Sequence, residues 1–197
     1  NVPSVLTTLV TDELNFPNLS MVGVDDRAAA YTAVDYLIRQ GHRKIAVLGG
    51  PVTSYPSVMR RKGAQQAMED AGILFNDKLY GLSNYDFESA YHAVNSLLAR
   101  RAEFTALFAM SDVIAFGAIR ALVSAGLRVP EDVSVIGFDG ITMSRYCVPV
   151  MTTIVQPSEQ IALQSIELLV RQIEHGSPAQ TVTLQPELQQ GESVRAI

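Results

Sequence analysis

Beyond Arg43 the chain alternates short apolar runs with segments whose apolar residues recur every three to four positions. Such alternation is the signature of a parallel α/β sheet. It predicts strands at 45–48, 79–82 (the weakest of them), 106–109 and 133–138. Helices are predicted at 57–71, ending at Gly72, at 88–98 with Ala90, Val94, Leu97 and Leu98 on one stripe, and at 112–125 with Ile114, Ala118, Leu122 and Ala125 on one face. Ser111 stands where the last helix needs an N-cap, and Gly126 where a left-handed C-cap belongs. Three βαβ units in a row, with right-handed crossovers, give a doubly wound parallel sheet.

Two stretches stand apart from that run. The front offers strands at 5–9 and 21–24, then a helix with Ala30, Val34, Leu37 and Ile38 on one side. Much later, after a short strand at 152–155, Pro157 opens a long helix at 158–175. Proline at a helix start loses no needed N–H. The expected apolar stripe of this helix is Ala162, Ile166, Leu169 and Ile173, and Gly176 ends it. A final strand is expected at 181–184. Two strands and one helix cannot close a core alone, so the late helix is expected to pack on the front, giving two lobes with more than one crossing.

Composition narrows the function classes. Of 197 residues 48% are hydrophobic and 18% charged, an ordinary globular balance. With 15 basic and 20 acidic residues the net charge is −5, and no Lys/Arg cluster is present, so the chain by itself is a poor nucleic-acid binder. A single cysteine, Cys147, allows no internal disulfide and favours a reducing compartment. No apolar run approaches the ~20 residues a membrane helix needs. Without an initiator Met or a secretory signal, the chain is expected to begin inside a longer protein.

In an open parallel sheet, ligands bind beyond the carboxyl ends of the strands. That rule selects Ser54, Tyr55 and Arg60 after the first strand of the run, and Asn84, Tyr85 and Asp86 after the second. It selects Ser111 and Asp112 after the third, Asp139 after the fourth, and Gln156 after the strand at 152–155. Carboxylates, a guanidinium, an amide and an aromatic face suit a small polyhydroxylated molecule. Structural readings stand beside this one. Arg60 adjoins Arg61 and Lys62 and fits a solvated helix face. Asp139-Gly140 fits a turn, and Ser111 and Asp112 fit a cap and a first-turn acid. Tyr85 fits a packing aromatic, Gln156 a backbone partner at a crossover, and Asp25 and Asp26 a helix start. Catalytic templates fail: Gly49-Gly50-Pro51 is no dinucleotide fingerprint, there is no phosphate-cradling loop or Gly-x-Ser-x-Gly, and His42, His92 and His175 lack metal-motif spacing. No catalytic residue, metal or cofactor is expected.

Several stretches together resemble the LacI family. They are Leu37–Ala46 running into Gly49-Gly50-Pro51, Arg60-Arg61-Lys62-Gly63, Phe87–Tyr91, Ala109–Ala118, Gly126-Leu127-Arg128-Val129-Pro130-Glu131-Asp132 through Asp139, and Thr152-Thr153-Ile154-Val155-Gln156-Pro157. The resemblance runs through nearly the whole chain in the family's order. It implies a two-lobed sensor of the periplasmic-binding-protein type with a small effector (sugar, polyol, nucleoside or purine) between the lobes. It also implies a cytoplasmic homodimeric regulator, expected to be a repressor, that reaches operator DNA through a helix-turn-helix outside this chain. The implied lobes are 1–42 plus 157–176, N-terminal and incomplete, and 43–156 plus 177–197. Arg60 and Asp139 match the family's ligand-binding arginine and aspartate. Tyr85 matches an aromatic against the effector, and Ser54 and Gln156 match positions lining the cleft. Ser111 departs from the usual Asn, Ala29 from Gly, and Gly140 from Asp or Asn. A periplasmic sugar-binding transport receptor of the same architecture is the alternative, and an enzyme on a doubly wound fold a third.

Overall fold

The computed structural model describes residues 2–11, 13–14 and 16–197. Its strands are β1 (Ser4–Thr7), β2 (Leu19–Val24), β3 (Ile45–Gly49), β4 (Tyr80–Leu82), β5 (Ala106–Ala109), β6 (Ser134–Asp139), β7 (Thr152–Val155), β8 (Thr181–Leu184) and β9 (Glu187–Gln189). The helices are α1 (Asp26–Arg39), α2 (Tyr55–Asp70), α3 (Phe87–Ala99), α4 (Asp112–Ser124) and α5 (Ser158–His175). The short strand β9 has no counterpart among the predicted elements. No helix among the described residues is long and apolar enough to cross a membrane.

Two compact units form, residues 1–25 with 156–187, and residues 26–155 with 188–197. In the larger one the sheet runs β4-β3-β5-β6-β7-β9. Strands β4 through β7 are parallel throughout, with Val47 opposite Tyr80 and Phe108, and Ile136 opposite Phe108 and Thr152. β3 and β5 are buried along their whole length, as strands covered on both faces must be. The core gathers Leu48, Phe108, Ile114, Leu122, Ile136 and Phe138, all essentially inaccessible. α1 packs on α2 and α3 on α4. The α1–α2 approach depends on Gly63, where any Cβ would collide with the Arg27 carbonyl.

The smaller unit holds the parallel sheet β1-β2-β8 with α5 packed on β1 and β2. The expected stripe on α5 is corrected. Ile161, Ser165, Leu168 and Gln172 are its buried residues, whereas Ile166 and Ile173 are 62% and 64% exposed. The helix carries apolar residues on two faces about 100° apart, so periodicity alone does not choose between them. Ser165 survives on the buried side because its hydroxyl donates to the Ile161 carbonyl at 2.7 Å.

These boundaries differ from the expected lobes in two places. α1 packs with the larger unit, on α2, so the first crossing falls at Asp25–Asp26 and not near residue 42. β8 pairs with β2, Val22 opposite Val182, and so joins the smaller unit. In each case the partner surface decides: α1 buries Ala29, Ala30, Ala33, Val34 and Leu37, three of them small enough for close helix packing and two branched to fill it.

Candidate functional site

The strand order of the larger sheet reverses between β3 and β5, since the chain goes out to β4 and returns across β3 to β5. A crevice at the carboxyl ends of strands flanking such a reversal is where open α/β sheets take ligands. The loops there are 50–54 after β3, 83–86 after β4, Met110-Ser111 after β5 and 140–141 after β6.

Arg60 lies on α2, one turn past the proline-containing start of the helix, and is 6% exposed. Its Nε donates to Asp26 Oδ1 at 2.7 Å, and its Nη1 donates to the Met110 carbonyl and stands 3.7 Å from Asp139 Oδ1. The guanidinium lies 3.6 Å over the Phe138 ring, a cation–π contact sheltered from solvent. The solvated-face reading of Arg60 is therefore excluded. Arg61 and Lys62, next to it, are the outward pair, with Arg61 bound to Asp77 at 2.7 Å.

Asp139 ends β6 at φ +111°, and Gly140 follows at φ +70°. A non-glycine residue in that region is strained, a feature that concentrates at ligand-binding sites. The side chain remains 28% exposed. Asp139 thus combines a constrained backbone with a reachable carboxylate, more than a plain Asp-Gly turn requires.

Tyr85 also has positive φ, +59°, and its ring lies on Gly50, where a Cβ would collide with it. The Tyr85 hydroxyl is buried and finds no hydrogen-bond partner among the described residues. A buried unsatisfied hydroxyl costs about 1–3 kcal/mol, so it is a position to which a partner oxygen would be drawn. Ser54 begins α2 without capping it through its side chain, leaving the hydroxyl at the same edge. Ser111 does cap: its Oγ accepts from the Ile114 amide at 3.1 Å. That engagement matches the structural reading of Ser111.

These five residues belong to the larger unit, while Gln156 is the first residue of the smaller unit's second segment. The larger unit alone therefore brings Arg60, Asp139, Tyr85, Ser54 and Ser111 to one sheet edge.

Two carboxylates at this edge carry more than their predicted parts. Asp26 was expected only to start a helix, yet it is 5% exposed and ion-paired to Arg60. Asp112, expected to line the edge or to serve as a first-turn acid of α4, is fully buried and accepts from Thr153 Oγ1 at 2.6 Å and from the Ile141 amide at 2.8 Å. Burial raises its pKa to about 6, against the lowering effect of these hydrogen bonds. The partners of Asp26 and Asp112 lie 34 and 41 residues away, so no local motif signals them.

The largest cavity among those described, about 720 Å³, lies elsewhere, at the amino ends of β3, β4 and β5. It is bordered by Lys44, Lys78, Arg100 and Arg101, and none of the expected site residues lines it. Lys44 is paired with Glu103 at 2.6 Å, and Arg100 bonds back to Ser96 of its own helix. Size alone does not outweigh the convergence of a buried arginine, a strained aspartate and an aromatic wall at the switch point. Among the described residues no group of three or more His, Cys, Asp or Glu side chains is placed to hold a metal ion.

The larger unit, a doubly wound parallel sheet with polar groups gathered at its switch point, and the smaller parallel unit each have an α/β architecture. The chain belongs to the family of periplasmic binding protein-like domains, whose family model matches residues 34–194, and the relatives found are LacI-family regulators. It is 38% identical over 193 residues to the HTH-type transcriptional regulator MalR of Clostridium butyricum, an alignment covering 98% of this chain and 58% of that protein. A sugar-binding LacI-family regulator from Escherichia coli, solved with phosphate, superposes with TM-score 0.83 at 32% identity, over 91% of this chain and 69% of that one. A LacI-family regulator from Enterococcus faecium with bound ribose gives TM-score 0.82 at 29% identity, over 91% and 66%. The chain spans just over half the length of the curated relatives it matches.

Proposed function

We propose that this chain is the effector-sensing domain of a LacI-family transcription regulator, a repressor, that takes a small sugar-like or nucleoside-like molecule at the carboxyl edge of its larger sheet. The observation that carries the reading is Asp139: a reachable carboxylate on a strained backbone, backed by a buried arginine that is itself held by Asp26 and Met110. A carboxylate so fixed accepts hydrogen bonds from ligand hydroxyls, and the Tyr85 ring offers a flat apolar wall for a sugar or base face. Ser54, Ser111 and Gln156 complete the proposed set of ligand-binding residues. The ribose bound to the Enterococcus faecium relative supports the substrate class.

The regulator names of the relatives favour a sensor over a transport receptor and over an enzyme. In this reading the protein is cytoplasmic and works as a homodimer. It reaches operator DNA through a helix-turn-helix separate from the residues described above. Effector binding shifts operator affinity by a coupling energy that is typically about 1–3 kcal/mol.

A thermal-shift screen against sugars, polyols, nucleosides and purines tests the site, with Asp139→Asn beside the wild type. A compound at 100 times its dissociation constant stabilises the native state by about 2.7 kcal/mol. One compound class is expected to raise the wild-type midpoint and to leave Asp139→Asn unmoved. An equal response from Asp139→Asn, or none from the wild type across the panel, contradicts the proposal.

A further inference from the structure

Asp112 makes no direct contact with Arg60 among the interactions described, yet the surrounding backbone is shaped to hold it. Its Oδ1 lies against the Cα of Gly137 in β6, where any Cβ would collide with it. From β7, Thr153 donates to the same oxygen at 2.6 Å. Oδ2 accepts the Ile141 amide at 2.8 Å, and the neighbouring Gly140 amide favours the ionised carboxylate. One side chain on α4 thereby ties together β6, β7 and the turn that follows β6. That turn begins with two consecutive positive-φ residues, Asp139 and Gly140. Backbone held in such a conformation needs surroundings that over-determine it, and here the amides after it are anchored on a single buried carboxylate.

We propose that Asp112 is the positioning residue for Asp139: in its ionised form it pins the 139–141 turn, and protonation loosens that turn. The inference rests on the reading of Asp139 as a ligand-binding group, and it adds a proton-linked control to that group. The ionised carboxylate accepts on both oxygens. Once a proton sits on Oδ1, Thr153 must reverse from donor to acceptor, and the charge that holds the Gly140 and Ile141 amides is gone. Of the charged groups around Asp112, Asp139 adds to the effect of burial. The Asp139 carboxylate repels its ionised form, and the Cys147 thiol senses the Asp112 charge. The guanidinium of Arg60 stands 3.7 Å from Asp139. Burial brings the Asp112 titration up to about 6, within reach of ordinary pH changes.

The test is ligand-free, so its outcome is independent of whether the effector screen succeeds. Amide resonances of Gly140 and Ile141 are followed by ¹H–¹⁵N NMR from pH 4.5 to 8 in the wild type, Asp112→Asn and Thr153→Val. In the wild type both amides are expected to titrate with one midpoint near 6, and hydrogen exchange at Ile141, corrected for intrinsic rate, speeds up below it. Asp112→Asn removes the titration. Thr153→Val, which keeps the carboxylate but deletes a hydrogen bond to its charged form, moves the midpoint upward; it decides the matter if Asp112→Asn does not fold. Amides that do not titrate in the wild type, a titration that persists in Asp112→Asn, or a midpoint unmoved in Thr153→Val would overturn the proposal.

Discussion

Arg60 is held on three sides by the protein itself, by Asp26, the Met110 carbonyl and the Phe138 ring, and it faces Asp139 on the fourth. This changes what its substitution reports. Breaking a buried ion pair by removing one partner leaves an uncompensated charge and costs about 3–5 kcal/mol. Arg60→Ala is therefore expected to lower the urea-unfolding free energy by that order, even with no ligand present, because the buried Asp26 carboxylate loses the guanidinium at 2.7 Å. A loss below about 1 kcal/mol would mean that Asp26 is hydrated in solution and that the pair is weaker than its geometry. For this reason Asp139→Asn, at a partly exposed side chain, is the cleaner probe of binding. The sheet-edge rule picked out Arg60, in the helix that follows β3, and Asp139, at the end of β6. Asp26 was expected only to start a helix, and Asp112 either to line the edge or to serve as a first-turn acid, since an acid in a first turn looks the same whether it caps a helix or holds a residue 34 or 41 positions away.

Among the elements, the strands were readable where apolar runs are bounded by clear turns: β5 falls at 106–109 and β7 at 152–155, as expected. The expected 133–138 is shifted by one residue, to Ser134–Asp139, which carries the strand to the site residue itself. What pattern did not give is which surface each helix meets. α5 is apolar on two faces, and α1 has the small residues that fit α2. The α1–α2 contact makes a sharp prediction. At Gly63 a methyl group would meet the Arg27 backbone carbonyl, which cannot move without shifting α1. Overpacking of this kind typically costs about 1–3 kcal/mol, despite the higher helix propensity of alanine. Gly63→Ala should accordingly lower the thermal midpoint. A variant as stable as wild type would show that α1 does not rest on α2 as described.

At the scale of the whole molecule, the C-terminal segment closes back on the larger unit. His42 is buried, with Nε2 donating to the Arg195 carbonyl at 3.1 Å and Nδ1 accepting from Thr105 Oγ1 at 2.9 Å. Ser193 Oγ donates to the Val135 carbonyl, and the Ile197 amide to that of Gln40. Burial holds the His42 pKa below its ordinary 6.5. The unfolded chain then binds more protons than the folded one between the two values, so stability rises with pH through this window. His42's contribution is fully present above about 6.5 and is lost as pH falls through the lowered folded value. Urea titrations from pH 5 to 7.5 should show that slope in wild type and a shallower one in His42→Gln. Equal slopes would place the acid sensitivity on other groups.

The central claim is that the ligand sits at the carboxyl ends of the strands, and the larger basic cavity at their amino ends offers a direct contrast. The decisive measurement is ¹H–¹⁵N chemical-shift mapping of the chain, titrated with the compound that raises its melting midpoint. The account predicts that amides at 49–50, 84–86, 110–112 and 139–141 move together, saturably, while those at 76–79 and 100–103 stay in place. Shifts confined to 76–79 and 100–103 would contradict it, placing the ligand among Lys44, Lys78, Arg100 and Arg101 instead.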